Sequence, residues 1–380
     1  MMRIGVDGYP LARQTKAGIG YYTYYLLKNV SAIDTENEYF LYNNLSKRIE
    51  IPHHNLVLAL SSNKNLINRF STSWMLFNAK QQLTKDKIDI FWGTQGIIPP
   101  NLSKSIKSLV TVHDLTFYLY PSTMALDNYF VNRFLFRKSI INADRVITIS
   151  HSTAEDLKNI FKNEDIGRKT SVIYNGVDSD KFKLLDKKVT KEYIKNKFDI
   201  SESFILFVGT IEPRKNISSL LKAFKILKTK YGISHQLVLA GAMGWRTHQI
   251  FKDFKKLSFK EREVKFLGYV EEEDLIKLYC GADLLVIPSF YEGFGIPAIE
   301  AVACGVPVVA SDIAVFREVL GEAAVFAEPT EYAHIAECVY SVLTNLELRQ
   351  RLIKDGITRS RLFSWGESAE KLLALFKTLA

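Results

Sequence analysis

The chain of 380 residues predicts an α/β protein made of two doubly wound parallel-sheet domains. Short β-branched runs alternate with helix-length amphipathic segments from end to end, the pattern of βαβ units. That alternation restarts after a lysine-rich stretch at 181–197, and the length suits two domains that each bury a full core. With 47% hydrophobic and 24% charged residues, the composition is that of a soluble globular protein and excludes disorder and fibrous repeats.

The first series opens at Met1-Met2-Arg3-Ile4-Gly5-Val6-Asp7-Gly8, whose apolar stretch is too short for a secretory signal and reads as a strand. Further strands are expected near 56–60, 88–92, 107–112, 145–150 and 171–174, with helices near 20–31, 73–84, 125–142 and 152–162. The stretch Lys181 to Lys197 lacks a long apolar period and reads as a linker. The second series places strands at 204–208, 236–240, 264–267, 284–287 and 306–310, again with helices between them. The expected division is 1–184 and 185–364, with a last helix at about 365–380 that can pack back on the first domain. No apolar run reaches the roughly 18 residues of a membrane-spanning helix.

Charge is distributed unevenly. The net charge is +9, and residues 1–200 hold 28 basic against 19 acidic side chains while the remainder holds equal numbers. A basic half suits phosphorylated substrates, an anionic membrane surface or nucleic acid, but no nucleic-acid motif or unbroken basic run is present. Cys280, Cys304 and Cys338 are odd in number and widely spaced, which excludes a disulfide framework and a zinc-like spacing and points to a reducing, cytoplasmic compartment.

In an open parallel sheet, ligands bind beyond the carboxyl ends of the strands, and with two such sheets the natural site is the cleft between them. The densest candidate is Pro288 to Glu300. Gly293 and Gly295 allow close backbone approach, Pro297 opens a helix, and the N–H groups before it form an anion site. Glu292 and Glu300 are carboxylates able to accept from vicinal sugar hydroxyls. Either glutamate alone reads as an ordinary strand–turn–helix residue; the whole segment reads as a site. Arg214 and Lys215 follow the strand at 204–208 where a helix dipole disfavours cations, a placement that makes sense with an anionic ligand between them and the helix. Taken alone they are equally a solvated surface pair. Gly18, in Lys16-Ala17-Gly18-Ile19-Gly20, is as readily a tight turn as a ligand loop. His113-Asp114 ends a strand, where a histidine either polarises a substrate hydroxyl or bonds to backbone. His151 reads as a helix-start residue.

The run Glu292-Gly-Phe-Gly-Ile-Pro-Ala-Ile-Glu300 followed by Ala303 to Ser311 resembles the retaining glycosyltransferases of family 4, including their E-x7-E motif. Gly209 to Asn216, Asn175-Gly176-Val177-Asp178, Gly18 and His113 are similar to the same family, and the likeness covers nearly the whole chain. The resemblance implies a GT-B fold, with the nucleotide-sugar donor mainly on the C-terminal domain and the acceptor mainly on the N-terminal one. It implies that Glu292 and the backbone of Gly293, Phe294 and Gly295 hold the donor sugar. The diphosphate would fall to Lys215, Arg214, Gly18 and the Ile296 N–H, and the nucleoside to Glu300 with Gly268, Tyr269 and Val270. His113 would lie near the reacting sugar. Thr210 stands where many members have arginine, so Arg214 inherits part of the phosphate role. No cofactor and no metal are implied.

Arg3 to Gly8 and Leu239-Ala-Gly-Ala-Met-Gly-Trp245 resemble the mannosyltransferase branch that builds bacterial surface polysaccharide such as O-antigen, which points to GDP-mannose as donor and a glycan or polyprenyl-diphosphate-linked acceptor. Tyr129 to Lys138 mixes aromatic and basic residues at helical spacing, either as a core helix with a solvated basic face or as a peripheral contact with the inner face of an anionic membrane. The rival readings are a UDP-sugar-dependent family member, a GT-B epimerase or glucan synthase, a nicotinamide-dependent oxidoreductase, and a non-catalytic polyanion-binding protein. The missing Gly-x-Gly-x-x-Gly after the first strand counts against nicotinamide.

Overall fold

The computed structural model describes residues 1–12, 18–43, 56–60, 71–124, 129–162, 164–200 and 203–380. They form two compact units. One comprises Met1–Phe117, Leu126–Gly176 and Ser364–Ala380, the other Tyr118–Ala125 and Val177–Phe363.

The first unit is built on a parallel sheet of β1 (Arg3–Asp7), β2 (Glu38–Asn43), β3 (Leu56–Leu60), β4 (Ile90–Gly93), β5 (Lys107–Val112), β6 (Arg145–Thr148) and β7 (Thr170–Val172), in the order β3-β2-β1-β4-β5-β6-β7. β4 is buried throughout, and β1 and β6 are buried after their opening arginines, because helices cover both faces of such a sheet. The C-terminal helix Trp365–Leu379 packs against the helix Gly18–Ile33 in this unit, with Trp365 stacked on Tyr25 at 5.4 Å and Leu372 and Phe376 buried.

The second unit carries β8 (Phe204–Val208), β9 (Gln236–Ala240), β10 (Val264–Gly268), β11 (Leu284–Ile287), β12 (Val308–Ser311) and β13 (Val325–Ala327), in the order β10-β9-β8-β11-β12-β13, again all parallel. Both sheets start in the middle and reverse direction once. Each therefore has one topological switch point, between β1 and β4 in the first and between β8 and β11 in the second.

Two expectations are corrected. The chain leaves the first unit at Gly176, eight residues before the expected boundary at 184/185. A Cβ on Gly176 would meet the Trp365 nitrogen at 2.4 Å, within the first unit, while Val177 N–H donates to Phe363 O at 3.0 Å within the second. Lys181–Lys197 is not a linker: it contains the helix Lys187–Phe198. Asp186 caps it by accepting from the N–H groups of Lys188 and Val189, and Thr190 and Ile194 bury a narrow stripe against the helix Glu272–Gly281. Lys187 pairs with Asp283 at 2.8 Å and Lys197 with Asp274 at 2.7 Å, so the lysines that hid the apolar stripe help to dock it. β2, six residues long, and β13, three residues long, were not expected; both lie next to expected strands. Residues 125–128 of the expected helix at 125–142, and Lys16 and Ala17 of the glycine loop, lie outside the described residues.

Candidate active site

The switch point of the second sheet is formed by the turns after β8 and β11. After β8 the chain passes Gly209, which lies so close to the turn after β9 that a Cβ on Gly241 would sit 1.9 Å from the Gly209 carbonyl oxygen. Gly209 N–H donates to Ala240 O, Ile211 N–H to Ala242 O and Gly244 N–H to Ile211 O, at 2.9–3.0 Å. The segment Leu239–Trp245 thus braces the turn that carries the cations.

That turn ends in a 3-10 segment, Pro213–Lys215, and the next helix, Ile217–Thr229, starts only after Asn216. Arg214 and Lys215 therefore precede the helix rather than opening it. Asn216 adopts a left-handed conformation (φ 55°) and its side-chain amide donates to Pro288 O at 3.0 Å and Pro329 O at 2.7 Å, tying this turn to the one after β11. The Arg214 carbonyl also accepts from Phe290 N–H at 2.9 Å.

Between the two turns lies a compact ionic cluster. Arg214 donates through Nε and Nη2 to Glu212 Oε1 at 3.1 and 2.8 Å, and through Nη1 to Tyr291 O at 2.8 Å and Glu292 Oε2 at 3.0 Å. Lys215 Nζ donates to Glu292 Oε1 at 2.5 Å, and Ser289 Oγ to the same oxygen at 2.7 Å. Arg214, Lys215 and Glu292 are each only 10–13% exposed. Burial opposes ionisation of Glu292, but Lys215 and Arg214 outweigh it and bring the carboxyl down to about 2. Burial and the Arg214 charge lower the Lys215 ammonium, and burial raises Glu212. Two cations and two carboxylates balance one another here, the condition under which buried charges are tolerated.

The β11 turn runs into the helix Ile296–Ala303 through Gly295, whose φ of +90° no side chain adopts readily and whose Cβ would strike the Phe316 ring at 2.5 Å. Phe294 is buried edge-on against Phe363 at 5.4 Å, which anchors this loop. Glu300 stands apart from the cluster. Its Oε2 accepts from the Tyr279 hydroxyl at 2.9 Å, and burial, reinforced by Glu272, raises its carboxyl to about 8 despite that bond. Gly268 ends β10 and Tyr269 and Val270 follow it, and Gly268 O accepts from Gly241 N–H at 2.7 Å.

Gly18 and His113 belong to the first unit. Gly18 is the exposed first residue of the helix Gly18–Ile33. His113 follows β5 and donates through Nε2 to Thr94 O at 2.7 Å, with the Tyr22 ring edge-on at 4.7 Å. Burial lowers its pKa, which favours a neutral imidazole. Asp114 Oδ1 accepts from Thr116 N–H at 3.0 Å, a local turn contact. His151 starts a helix capped by Ser150.

Two family models divide the chain between them. Residues 18–181 match Glycosyltransferase Family 4, and residues 189–359 match Glycosyl transferases group 1. The chain belongs to the family 4 glycosyltransferases. O-antigen chain mannosyltransferase B of Escherichia coli is 26% identical over 98% of this chain and 97% of its own. Among solved structures, sucrose-phosphate synthase of Thermosynechococcus elongatus superposes with a TM-score of 0.79 at 21% identity, covering 100% of this chain and 99% of that one. Anabaena HepE in complex with UDP-glucose gives 0.78 at 16% identity, with 100% of both chains covered. These likenesses give the glycosyltransferase its GT-B fold.

Glu212, Ser289, Tyr279 and Asn216 were not singled out from the sequence. Glu212 and Ser289 had a readable signal, since each stands within three residues of a candidate and carries an oxygen able to hold it. Tyr279 had none, lying 21 residues from Glu300 on another helix. Asp178-Ser179-Asp180, a carboxylate pair passed over in the sequence, forms a local turn in which Asp178 accepts from Asp180 N–H at 3.2 Å. Among the described residues no helix is long and apolar enough to cross a membrane.

Proposed function

We propose that this glycosyltransferase moves a hexose, mannose from GDP-mannose in the first instance, onto a glycan or lipid-linked acceptor in surface polysaccharide synthesis, with retention at the anomeric carbon. The observation that carries the reading is the Arg214–Lys215–Glu292 cluster at a sheet switch point beside a helix N-terminus, where cations and backbone N–H groups suit a nucleoside diphosphate. Similarity to the E. coli O-antigen mannosyltransferase over nearly full length supports mannose and the polysaccharide setting.

In this reading Lys215 and Arg214 neutralise the diphosphate, and the Ile296 N–H donates to it. Glu292 and the backbone of Gly293, Phe294 and Gly295 hold the sugar; Glu300 and the 268–270 turn hold the nucleoside. His113 serves the reacting sugar from the first unit. The C1–phosphate bond breaks as the acceptor oxygen bonds to C1 on the same face, and the leaving phosphate takes the acceptor proton. The two side-chain cations supply the neutralisation that other transferases assign to a metal, so chelation with EDTA is expected to leave the rate unchanged. Intact-mass analysis of the enzyme under turnover is expected to show no sugar on Glu292; a covalent adduct there would replace front-face substitution with a double displacement.

The second reading is a UDP-sugar donor, motivated by the fold shared with HepE, which was solved with UDP-glucose. A thermal-shift screen with GDP, UDP, ADP and their sugar conjugates separates the two, because a ligand specific for the native state raises Tm. A shift by GDP and GDP-mannose supports the first; a shift by uridine nucleotides alone replaces it with the second. The helix Tyr129–Asn142 buries Leu135, Phe136 and Ile140 and exposes Phe134, and we assign its outer side to peripheral contact with an anionic membrane. Sedimentation with liposomes with and without anionic lipid tests that assignment; absence of binding at any salt removes it.

A further inference from the structure

The two cations of the cluster are held very differently. Arg214 is tied at all three guanidinium nitrogens, twice to Glu212, once to the Tyr291 carbonyl and once to Glu292. Glu212 is 1% exposed and its described partner is Arg214 alone, so the pair is a fixed part of the turn. The Lys215 ammonium has one described hydrogen bond, to Glu292 Oε1, although it carries three donors. The lysine's arm runs beside Gly209, where an added Cβ would lie 3.7 Å from Lys215 Cε, so no side chain of that residue stands against the arm. Glu292 Oε1, in turn, is occupied by Lys215 and Ser289.

We infer that donor binding proceeds by ion-pair exchange: the diphosphate takes Lys215 from Glu292, and the carboxylate oxygen released receives a sugar hydroxyl. The inference rests on the nucleotide-sugar reading above. It gives Glu292 a second task, discrimination between intact donor and spent nucleotide. A free nucleoside diphosphate must break the Lys215–Glu292 pair and leaves Glu292 Oε1 short of a partner in a buried place, which is costly. The intact donor breaks the same pair and supplies a hydroxyl in its stead. The pair therefore weakens binding of the product more than binding of the substrate, which favours product release.

The test is calorimetric titration of wild type, Glu292→Gln, Lys215→Met and the double variant with GDP (or UDP, whichever wild type binds), each checked for folding by its melting curve. Glu292→Gln is expected to bind the nucleoside diphosphate about tenfold more tightly than wild type, the low end of close charge-pair couplings. Its preference for the sugar conjugate over the bare nucleotide should shrink by a similar factor. In the Lys215→Met background the same substitution should change affinity by less than about twofold, since the Lys215–Glu292 pair is already gone and the Arg214–Glu292 pair is not the one exchanged. Equal or weaker nucleotide binding by Glu292→Gln overturns the exchange. An undiminished gain in the Lys215→Met background also overturns it, because the gain would then reflect only a lost negative charge. Should Glu292→Gln fail to fold, Glu292→Asp, which withdraws the carboxylate by one methylene, is expected to tighten nucleotide binding, and unchanged or weaker binding counts against the exchange. If wild type binds no nucleoside diphosphate, the donor reading itself falls and takes the exchange with it.

Discussion

The two sheets share one topology and differ in what stands at their switch points. In the first unit, Asp7 ends β1 fully buried, and its carboxylate accepts from Gln95 Nε2 at 2.9 Å and Tyr9 N–H at 3.2 Å. Thr94 bridges its neighbours, its hydroxyl donating to Asp7 O at 2.8 Å and its carbonyl accepting from His113. In the second unit, the corresponding place holds Arg214, Lys215, Glu212 and Glu292 in direct ionic contact. Topology supplies a place for a ligand, and the side chains after the strands decide its charge. Hydrogen-bonding groups with a neutral imidazole suit an uncharged hydroxyl; paired cations suit a diphosphate. The same contrast recurs within one segment, where Glu292 is held ionised beside two cations and burial pushes Glu300 up to about 8 despite its bond from Tyr279.

The sharpest break of this comparison comes from the ionic side. Lys215→Met is expected to lower kcat/KM about 10²- to 10³-fold in an assay of sugar transfer, the range seen on removing one group that stabilises a developing anion. A loss below threefold would deny the second switch point its ionic role. On the neutral side, His113→Ala is expected to lower kcat about 10- to 100-fold, at or below the low end of general acid–base contributions, while leaving nucleotide affinity within twofold. Titration of this variant with GDP or UDP checks the split. Weakened nucleotide binding equal to that of Lys215→Met would erase the distinction between the two units.

Glu300 gives a smaller, pH-dependent effect. Its folded-state carboxyl is raised from the usual range to about 8, so the native state holds a proton that the unfolded chain releases above the ordinary carboxyl range. Stability should fall as pH rises from about 5 to about 8, by an amount on the order of a few kcal/mol. Glu300→Gln, neutral throughout, should gain on wild type across that window and keep the gain above it. Urea unfolding at intervals from pH 5 to pH 9 reads this directly, and parallel curves would show that Glu300 is not held protonated. Smallest of all, Tyr279→Phe removes a bond that favours the Glu300 anion, and should shift that window upward by less than about one pH unit.

Much of this was legible in the sequence. β8 and β11 are continuous apolar runs followed by glycine, proline and charge, the signature of a buried parallel strand opening onto a ligand loop. Arg214 and Lys215 were visible as cations in a place that a helix dipole disfavours. The compensating partners were harder to see, because Glu292 lies 77 residues from Lys215 and only folding brings them together. The helix Lys187–Phe198 was missed because its buried stripe is two residues wide, Thr190 and Ile194, under a coat of lysines. The early unit boundary was invisible for a similar reason: Gly176 is fixed by Trp365, nearly two hundred residues later in the chain.

The most direct test is a crystal structure of the enzyme grown with GDP or UDP, whichever raises its Tm. The account predicts diphosphate density between Lys215 Nζ and the N-terminus of the helix Ile296–Ala303, with the lysine turned away from Glu292 and the Arg214–Glu212 pair unmoved. Nucleotide bound at the β1–β4 switch point instead, or bound in the second unit with the Lys215–Glu292 pair intact, would contradict it.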